Sequence, residues 1–405
     1  MKLFSLSNRR VTHFVLIMFL VAMGTSPVLA GDKDCDDPKW ADHPACTGTD
    51  PDPDPDDPCL TSTSPFPAFT FWRELSPATD SNWGIFLASA DGVCIRQLIE
   101  VPDSSAAWMW ESSFSYDQAD NRGYVTWIRG GTYENPEEDS IWLLEFWVQG
   151  NTISAQLEPE LIVMLPDNDE TKAEAYLPDL DVSKNLQNLA FTYLKIIPEG
   201  GYNEVHVFDI DACRFPNPVC MPDEGSLVYE PGYAYDEGKI TWGPLGTRLY
   251  LDEQENASGD PPGPARIRML TDVGGDWVDQ VLLSSDYYPE YTGIGHLSSG
   301  ILGYREKLAF RHDGDCRTIS VIDIADCEEG PTETNPFPCA AESQFYGWIP
   351  GWTNRGTIVH VILERVKTHP RKEIYDCRTS DFIGEWDPDT LETTPLVEGE
   401  DPDTM

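Results

Sequence analysis

The chain has 405 residues, of which 70 are Asp or Glu and 27 are Lys or Arg, so its formal net charge is −43. This charge excludes nucleic acid as a default partner, because neutralising phosphates requires Lys and Arg, and it argues equally against an anionic membrane surface. A hydrophobic content of 40% supplies enough apolar material for a sizeable core, which excludes global disorder.

Residues 1–30 predict a secretory signal peptide. A basic start precedes an apolar stretch at residues 15–23, and small residues up to Ala30 form a cleavage site. This stretch is too short to cross a bilayer, which needs about 20 apolar residues. We therefore expect cleavage after Ala30, no transmembrane segment in the mature protein, and a periplasmic or secreted location in a bacterium.

All ten cysteines follow the predicted cleavage site. In an oxidising compartment an even number indicates disulfides, and the absence of a C-x2-C pair disfavours zinc, so we assign no metal site. Short loops predict the pairs Cys35–Cys46, Cys213–Cys220 and Cys327–Cys339. Three pairings of the other four cysteines stay open, and the most local joins Cys59 to Cys94 and Cys316 to Cys377.

Two acidic tails are predicted to be flexible. Residues 31–59 form an Asp/Pro-rich leader, and the alternation of Asp with Pro at 50–57 favours an extended, solvated spacer. An EF-hand calcium loop would need a Gly at its turn and a closing Glu, which this stretch lacks. Residues 385–405 contain eight acidic residues and no Lys or Arg. The folded domain is predicted at 60–384.

Between the tails, short runs of alternating β-branched and aromatic residues predict antiparallel strands, and the fold class is all-β. Clusters of Gly, Pro, Asn and Asp separate the runs, and Asp91-Gly92 predicts a hairpin turn. The clearest strands are residues 124–128, 204–210, 249–251, 307–311, 318–324 and 357–363.

An internal repeat accompanies these strands. A polar pair leading into a strand marks the first strand of each unit, and the units are spaced 56, 64, 60, 59 and 50 residues apart. Six units of this size, each with about four short strands, predict a single six-bladed β-propeller with four-stranded antiparallel blades. The marker positions are Phe69, Val125, Leu189, Leu249, Leu308 and Ile358.

Residues 241–250, TWGPLGTRLY, resemble the W-S-P-D-G-x-x-L/I-A/V-F/Y signature of the TolB-like (WD-like repeat) β-propeller family. Residues 180–191 are similar, with Ser183 and the strand at 189–191 in place. Leu245 stands where the signature has Asp, and Leu186 stands where it has Gly. The resemblance extends over most of 66–384 and implies a six-bladed propeller; a structural signature of this kind implies little about function.

Candidate catalytic residues are few. His296 is predicted to lie in a Gly-rich loop, and His312 opens the sequence His-Asp313-Gly-Asp315, which an ordinary hairpin turn also explains. These four residues are weak candidates for acid–base chemistry, and no ligand-binding residue is assigned. The histidines within apolar strands, His206 and His360, are expected to be structural.

We expect an exported binding or scaffolding module that recognises an envelope protein or polysaccharide on one propeller face, as a monomer without a cofactor. A catalytic role is less favoured. The alternative from another class is a polysaccharide hydrolase or lyase that uses channel-facing acids and a histidine. A calcium-stabilised propeller without a ligand of its own stays open as a third interpretation. Catalysis requires histidine and acids to converge, whereas a binder requires exposed aromatic side chains on one face.

Overall fold

A computed structural model describes most of the chain after residue 56. The described residues are 57–75, 83–101, 109–129, 139–156, 158–165, 180–183, 185–197, 200–221, 224–230, 235–236, 240–255, 264–289, 292–313, 317–328, 339, 341–353, 355–367, 375–398 and 400–404. The predicted signal peptide, most of the leader and the Cys35–Cys46 pair lie outside them.

The described residues form short strands with little helix, which confirms the all-β class. Two helices, α1 (Pro58–Thr61) and α2 (Ile324–Glu328), and a 3-10 turn at Ile210–Cys213 interrupt the strands. The strands are β1 Phe69–Glu74, β2 Trp83–Ala88, β3 Ile95–Val101, β4 Met109–Asp117, β5 Arg122–Arg129, β6 Asp139–Gln149, β7 Thr152–Ala155, β8 Glu160–Leu165, β9 Leu180–Val182, β10 Asn188–Ile197, β11 Gly200–Asp209, β12 Ser226–Tyr229, β13 Tyr235–Asp236, β14 Ile240–Trp242, β15 Arg248–Glu255, β16 Ala265–Val273, β17 Asp276–Ser284, β18 Thr292–Leu302, β19 Arg305–Asp313, β20 Thr318–Asp323, β21 Ser343–Trp352, β22 Ile358–Lys367, β23 Tyr375–Asp387, β24 Glu392–Glu398 and β25 Glu400–Thr404.

These strands pair into five antiparallel sheets within the described residues. Four of the sheets are β25-β1-β2-β3, β4-β5-β6-β7 with β8 on β6, β12-β11-β10-β9, and β13-β15-β16-β17 with β14 on β15. The fifth runs from β18 to β24 without a break. Strand β21 joins its two halves, because residues 343–346 pair with β20 and residues 347–352 pair with β22.

The sheets are arranged around a closed circle of strands. Strand β4 lies beside β9, β9 beside β14, β14 beside β18, and β18 beside β21. Strand β25 lies beside both β21 and β4, so it closes the circle. Antiparallel sheets placed radially around such a circle form a propeller, and the predicted propeller arrangement is confirmed.

The repeat marks the second strand of each unit, not the first. All six marker positions are fully buried, and they lie in β1, β5, β10, β15, β19 and β22, each next to a strand of the central circle. The central strands β9 and β14 have only three residues each. Strands this short carry too little alternation to be recognised in the sequence.

The prediction of a flexible tail at 385–405 is wrong. Residues 375–387 and 392–398 pair as β23 and β24, and the acidic segment Glu400–Thr404 pairs with β1, where Thr404 lies opposite Phe69. The acidic composition suggested a tail. Backbone hydrogen bonds hold this segment in the sheet, and because they do not depend on side-chain polarity, composition could not reveal them. The leader also ends earlier than predicted, since α1 begins at Pro58 and Asp57 forms an ion pair with Arg96.

The turns that resemble the family signature share one geometry. In the turn after β14, Gly246 has φ +68°, and in the turn after β9, Leu186 has φ +59°. The left-handed conformation is the reason the signature has Gly at this position. A third copy, at residues 89–94, repeats the backbone hydrogen bonds of the other two, with Gly92 at φ +69°. This confirms the turn predicted from Asp91-Gly92.

Asp181 connects three strands of the central circle. It lies on β9, and its carboxylate accepts hydrogen bonds from Ser113 Oγ of β4 at 2.7 Å, from the Trp242 backbone N–H of β14 at 2.6 Å, and from Thr241 Oγ1 of β14 at 3.2 Å. Neighbouring propeller sheets diverge outward, so their central strands cannot form a continuous ladder. The buried Asp181 carboxylate therefore provides a hydrogen-bond acceptor for donors on the neighbouring central strands.

Three of the five predicted disulfides are present: Cys59–Cys94, Cys213–Cys220 and Cys327–Cys339. The last two close matching connections, in which Asp209 and Asp323 each accept a hydrogen bond from the backbone N–H two residues later. Cys377 is also disulfide-bonded, but Cys316 lies outside the described residues, so that pairing stays a prediction. In the described part of the chain, no helix is long and apolar enough to cross a membrane.

Candidate functional site

The propeller has two chemically different ends. Tight turns cluster at one end, which we call the turn end: Arg355 donates to the carbonyl oxygen of Ala90 at 2.8 Å, and Arg248 pairs with Glu306 at 3.1 Å across neighbouring sheets. The opposite end, where β1, β5 and β19 finish and β18 begins, is the loop end. Both predicted candidate histidines lie near the loop end, on the adjacent strands β18 and β19.

His296 occupies an irregular position at the loop end. It has φ +50° and lies where the pairing of β18 with β19 shifts register between Gly295 and Leu297. Its half-buried ring meets the indole of Trp348 edge to face, with centroids 5.7 Å apart. Trp348 lies on β21 at a second register shift, and the next residue, Ile349, also has φ +50°. A positive φ is strained for a β-branched residue, and such strain clusters at functional positions.

Arg317 completes this group. Its guanidinium lies 4.1 Å from the centroid of the Trp348 ring, a close cation–π contact. Arg317 is exposed and Trp348 is half-buried. The indole Nε1 of Trp348 is buried and has no hydrogen-bond partner among the described residues. Guanidinium and indole N–H groups only donate hydrogen bonds, so the group suits an anionic or acceptor-rich ligand.

Gly295 lets two buried charged residues approach the same point beside His296. A β-carbon at position 295 would lie 3.1 Å from Nη2 of Arg311 and 3.7 Å from Oδ2 of Asp252. Arg311 is 9% exposed and Asp252 is 2% exposed. A side chain at 295 would therefore require the end of the Arg311 side chain to shift slightly. The arrangement places a buried carboxylate and a buried guanidinium beside Gly295, the residue that precedes the predicted candidate His296.

His312 has a different environment from His296. It is 6% exposed, its Nε2 lies 2.9 Å from Ser320 Oγ, and its ring packs on Phe310. The contacts found within the described residues do not join it to His296. Asp313 ends β19 with its side chain outside the described part, and Asp315 lies outside it entirely. The catalytic candidacy of these four residues therefore stays a prediction.

The histidines expected to be structural are both buried. His206 Nε2 lies 3.0 Å from Glu204 Oε2, and its ring stacks on Phe191. His360 is fully buried against Phe345, and burial lowers its pKa to about 4. A neutral imidazole in this position packs as part of the core.

One group of carboxylates has the spacing of a metal site, at the turn end. Asp323, Asp326 and Glu342 bring one oxygen each within 4.8 Å of one another. The ammonium of Lys307 already lies among them, 2.9 Å from Asp323 Oδ2 and 2.6 Å from Glu342 Oε2. Burial opposes the charge, but these hydrogen bonds raise the pKa of Lys307. Arg305 pairs with Asp323 and lies 3.7 Å from Asp326, so two protein cations already compensate this group.

Sequence reasoning found His296 but missed Asp252, Arg311, Arg317 and Trp348. Asp252, Arg311 and Trp348 lie on β15, β19 and β21, and Arg317 directly precedes β20, so no spacing along the chain relates them. The sequence predicts a loop around glycines 293 and 295, but both lie within strand β18. Glycine inside a strand indicates a close approach of another group, and this signal could have pointed to the site.

No protein-family model matches the chain, and no curated protein matches it. Solved structures with a similar course of the chain include a TolB-like protein of Agrobacterium tumefaciens, with 10% identity, coverage of 76% of this chain and 86% of that one, and a TM-score of 0.38. The periplasmic gluconolactonase of Pseudomonas aeruginosa has 10% identity, covers 82% of each chain and scores 0.37. A hypothetical selenium-binding protein of Sulfolobus tokodaii has 10% identity, covers 85% of this chain and 79% of that one, and scores 0.41. At such scores these likenesses imply nothing about ligands.

Proposed function

We propose that the chain is an exported six-bladed propeller of TolB-like type. The blade number rests on β21, whose two halves pair with different neighbours and divide the seven-stranded sheet into two blades. The central circle then contains one strand from each of six blades: β25, β4, β9, β14, β18 and β21. Export is supported by the disulfides, since such bonds persist in oxidising compartments.

The proposed role is a binding or scaffolding module for an envelope protein or polysaccharide. The observation that carries this role is the group of His296, Arg317 and Trp348 at the loop end, which combines an aromatic ring with hydrogen-bond donors. Strained backbone occurs at His296 and at Ile349, the residue after Trp348, on two strands of the central circle. Rigid strands rather than loops hold His296 and Trp348, as a preorganised recognition site requires.

The test compares Trp348→Ala with Tyr304→Ala in a panel of purified envelope polysaccharides and envelope proteins. Tyr304 is a matched control because it is aromatic, 92% exposed and located in the β18–β19 turn at the opposite end. We expect the wild type and the Tyr304 variant to capture the same panel member, and the Trp348 variant to lose it. Equal capture by both variants contradicts the assignment of the site.

A hydrolase or lyase is the second candidate, and the approach of buried Asp252 and Arg311 to Gly295, the residue before His296, favours it. A buried carboxylate beside a fixed positive charge can act as a general acid or base, while the guanidinium stays charged and stabilises negative charge. The test is release of reducing or unsaturated ends from the captured polysaccharide. Turnover that Asp252→Asn abolishes, with capture unchanged, supports catalysis; capture without turnover by the wild type contradicts it.

A further inference from the structure

The basic side chains of this acidic protein are paired differently at its two ends. At the turn end, Arg248 pairs with Glu306, Arg305 and Lys307 with Asp323, and Arg355 with Glu385. Arg122 and Arg214 likewise share Glu145. Each of these cations is neutralised within the protein, so the turn end has no free guanidinium for a ligand among these residues.

Three arginines at the loop end differ. Arg73 is the penultimate residue of β1, Arg129 ends β5, and Arg317 directly precedes β20. In the portion of the chain that is described, no carboxylate contacts any of them. Arg129 and Arg317 are exposed. Arg73 lies over the rings of Phe71 and Phe86 at 5.2 and 4.7 Å, and its Nε is buried without a described hydrogen-bond partner.

A position near the loop end does not by itself leave an arginine without a carboxylate partner. Arg266 and Arg268 also lie in the loop-end half of their sheet, but both pair with the buried carboxylate of Glu253, at 3.6 and 2.8 Å. The chain has 70 acidic residues for 27 basic ones, so partners are abundant. Among the described residues, Arg129 and Arg317 are exposed at the loop end without a carboxylate partner, which suggests a ligand as their partner.

From these contacts we propose that the loop end binds an anionic polysaccharide, with Arg73, Arg129 and Arg317 contacting its carboxylate or sulfate groups. The proposal rests on the proposed binding function and names the class of its ligand. The three arginines belong to three different sheets, so a polymer with charges at intervals fits them better than one small anion. Guanidinium binds planar oxyanions through two parallel N–H donors.

Trp348 and His296 have positioning roles in this proposal. The indole ring fixes the direction of the Arg317 guanidinium through the 4.1 Å contact, which reduces the entropy lost when a ligand binds. The His296 ring contacts the Trp348 ring edge to face and so helps to hold the indole in place.

The experiment measures binding of the full-length protein to four polymers: polygalacturonate, dextran sulfate, neutral dextran and poly-L-glutamate. We expect binding to polygalacturonate, dextran sulfate or both, weakening as sodium chloride rises, because association with a polyanion releases counterions. Arg129→Ala and Arg317→Ala should each weaken it about tenfold, the loss expected for one charge-assisted hydrogen bond. The matched control Arg305→Ala, at the turn end, should change it less than about twofold.

Thermal unfolding of each variant checks that the fold is intact, and the more conservative Arg317→Lys should retain part of the affinity. Tightest binding to poly-L-glutamate overturns the polysaccharide assignment in favour of an acidic protein segment. Equal binding to dextran overturns the anionic class but leaves the proposed binding function standing. If none of the four polymers binds, the inference is refuted, and the envelope panel with the Trp348 and Tyr304 variants decides the proposed function separately.

Discussion

Asp181 offers the sharpest test of how the central circle is held together. Asp181→Ala removes three hydrogen bonds to a buried carboxylate that link β9 to β4 and β14. Bonds to a charged group contribute about 1.5–3 kcal/mol each, and a buried donor left without a partner costs about 1–3 kcal/mol. The shortest bond, from the Trp242 backbone at 2.6 Å, has no alternative acceptor in the described contacts.

Since these contributions overlap, we expect Asp181→Ala to lower the free energy of unfolding by about 4 kcal/mol, which corresponds to about 5 °C in Tm for a domain of this size. Asp181→Asn keeps one acceptor oxygen and should lose about half as much. The control Asp120→Ala lies in an exposed turn and should stay within about 0.5 kcal/mol of the wild type.

The assay is urea unfolding followed by tryptophan fluorescence, with calorimetry for Tm. A double-mutant cycle with Ser113→Ala isolates the bond between β4 and β9, and the two losses should be less than additive. If Asp181→Ala unfolds within about 1 kcal/mol of the wild type, the carboxylate does not hold the circle together, and the role assigned to it is refuted.

Three further predictions concern single positions. Burial lowers the pKa of His360 to about 4, so the unfolded state takes up a proton first as pH falls. The neutral His360 side chain should therefore contribute about 3 kcal/mol to the free energy of unfolding above pH 6.5, and this contribution should be lost as the pH falls towards 4. In urea unfolding at several pH values, His360→Gln should lack this part of the pH dependence. Leu391 is 66% exposed with φ +60°, so Leu391→Gly should stabilise the protein by about 0.5–1 kcal/mol while Leu391→Ala should not; a lower urea midpoint for the glycine variant contradicts this. Lys307→Met removes the ammonium from between Asp323 and Glu342. The Tm of the variant should therefore become sensitive to calcium, whereas the Tm of the wild type should not. Equal Tm responses to calcium contradict the view that Lys307 compensates the charge of these carboxylates.

Much of the architecture was predictable because its signals are local. The marker residues recur because every second strand is buried on both faces, and Phe69 and Leu308 are both fully buried. The short-loop disulfides were predictable for the same reason, since Cys213 and Cys220 are separated by seven residues. The turn at Gly246 was recognisable from the residues that its left-handed backbone requires.

The candidate site was predictable only in part. His296 was singled out for its neighbouring glycines, and it does lie at the loop end beside Trp348. His312 was singled out on similar grounds, yet it packs in the core against Ser320. In the sequence both are histidines near acidic and glycine residues. Alternation along β19 decides which side of the sheet a residue faces, but the register shift in β18 that turns His296 outward has no sequence signature.

The sequence by itself determined the all-β class, the repeat, the acidic character and the local disulfides, because each depends on residues close together in the chain. Only the tertiary structure decided that the acidic C-terminal segment pairs with β1 and closes the circle between β21 and β4, that Lys307 pairs with both Asp323 and Glu342, and that Arg317 stacks on Trp348. These features join residues that are distant in sequence. Their energies come from contacts that exist only after the sheets have assembled around the centre.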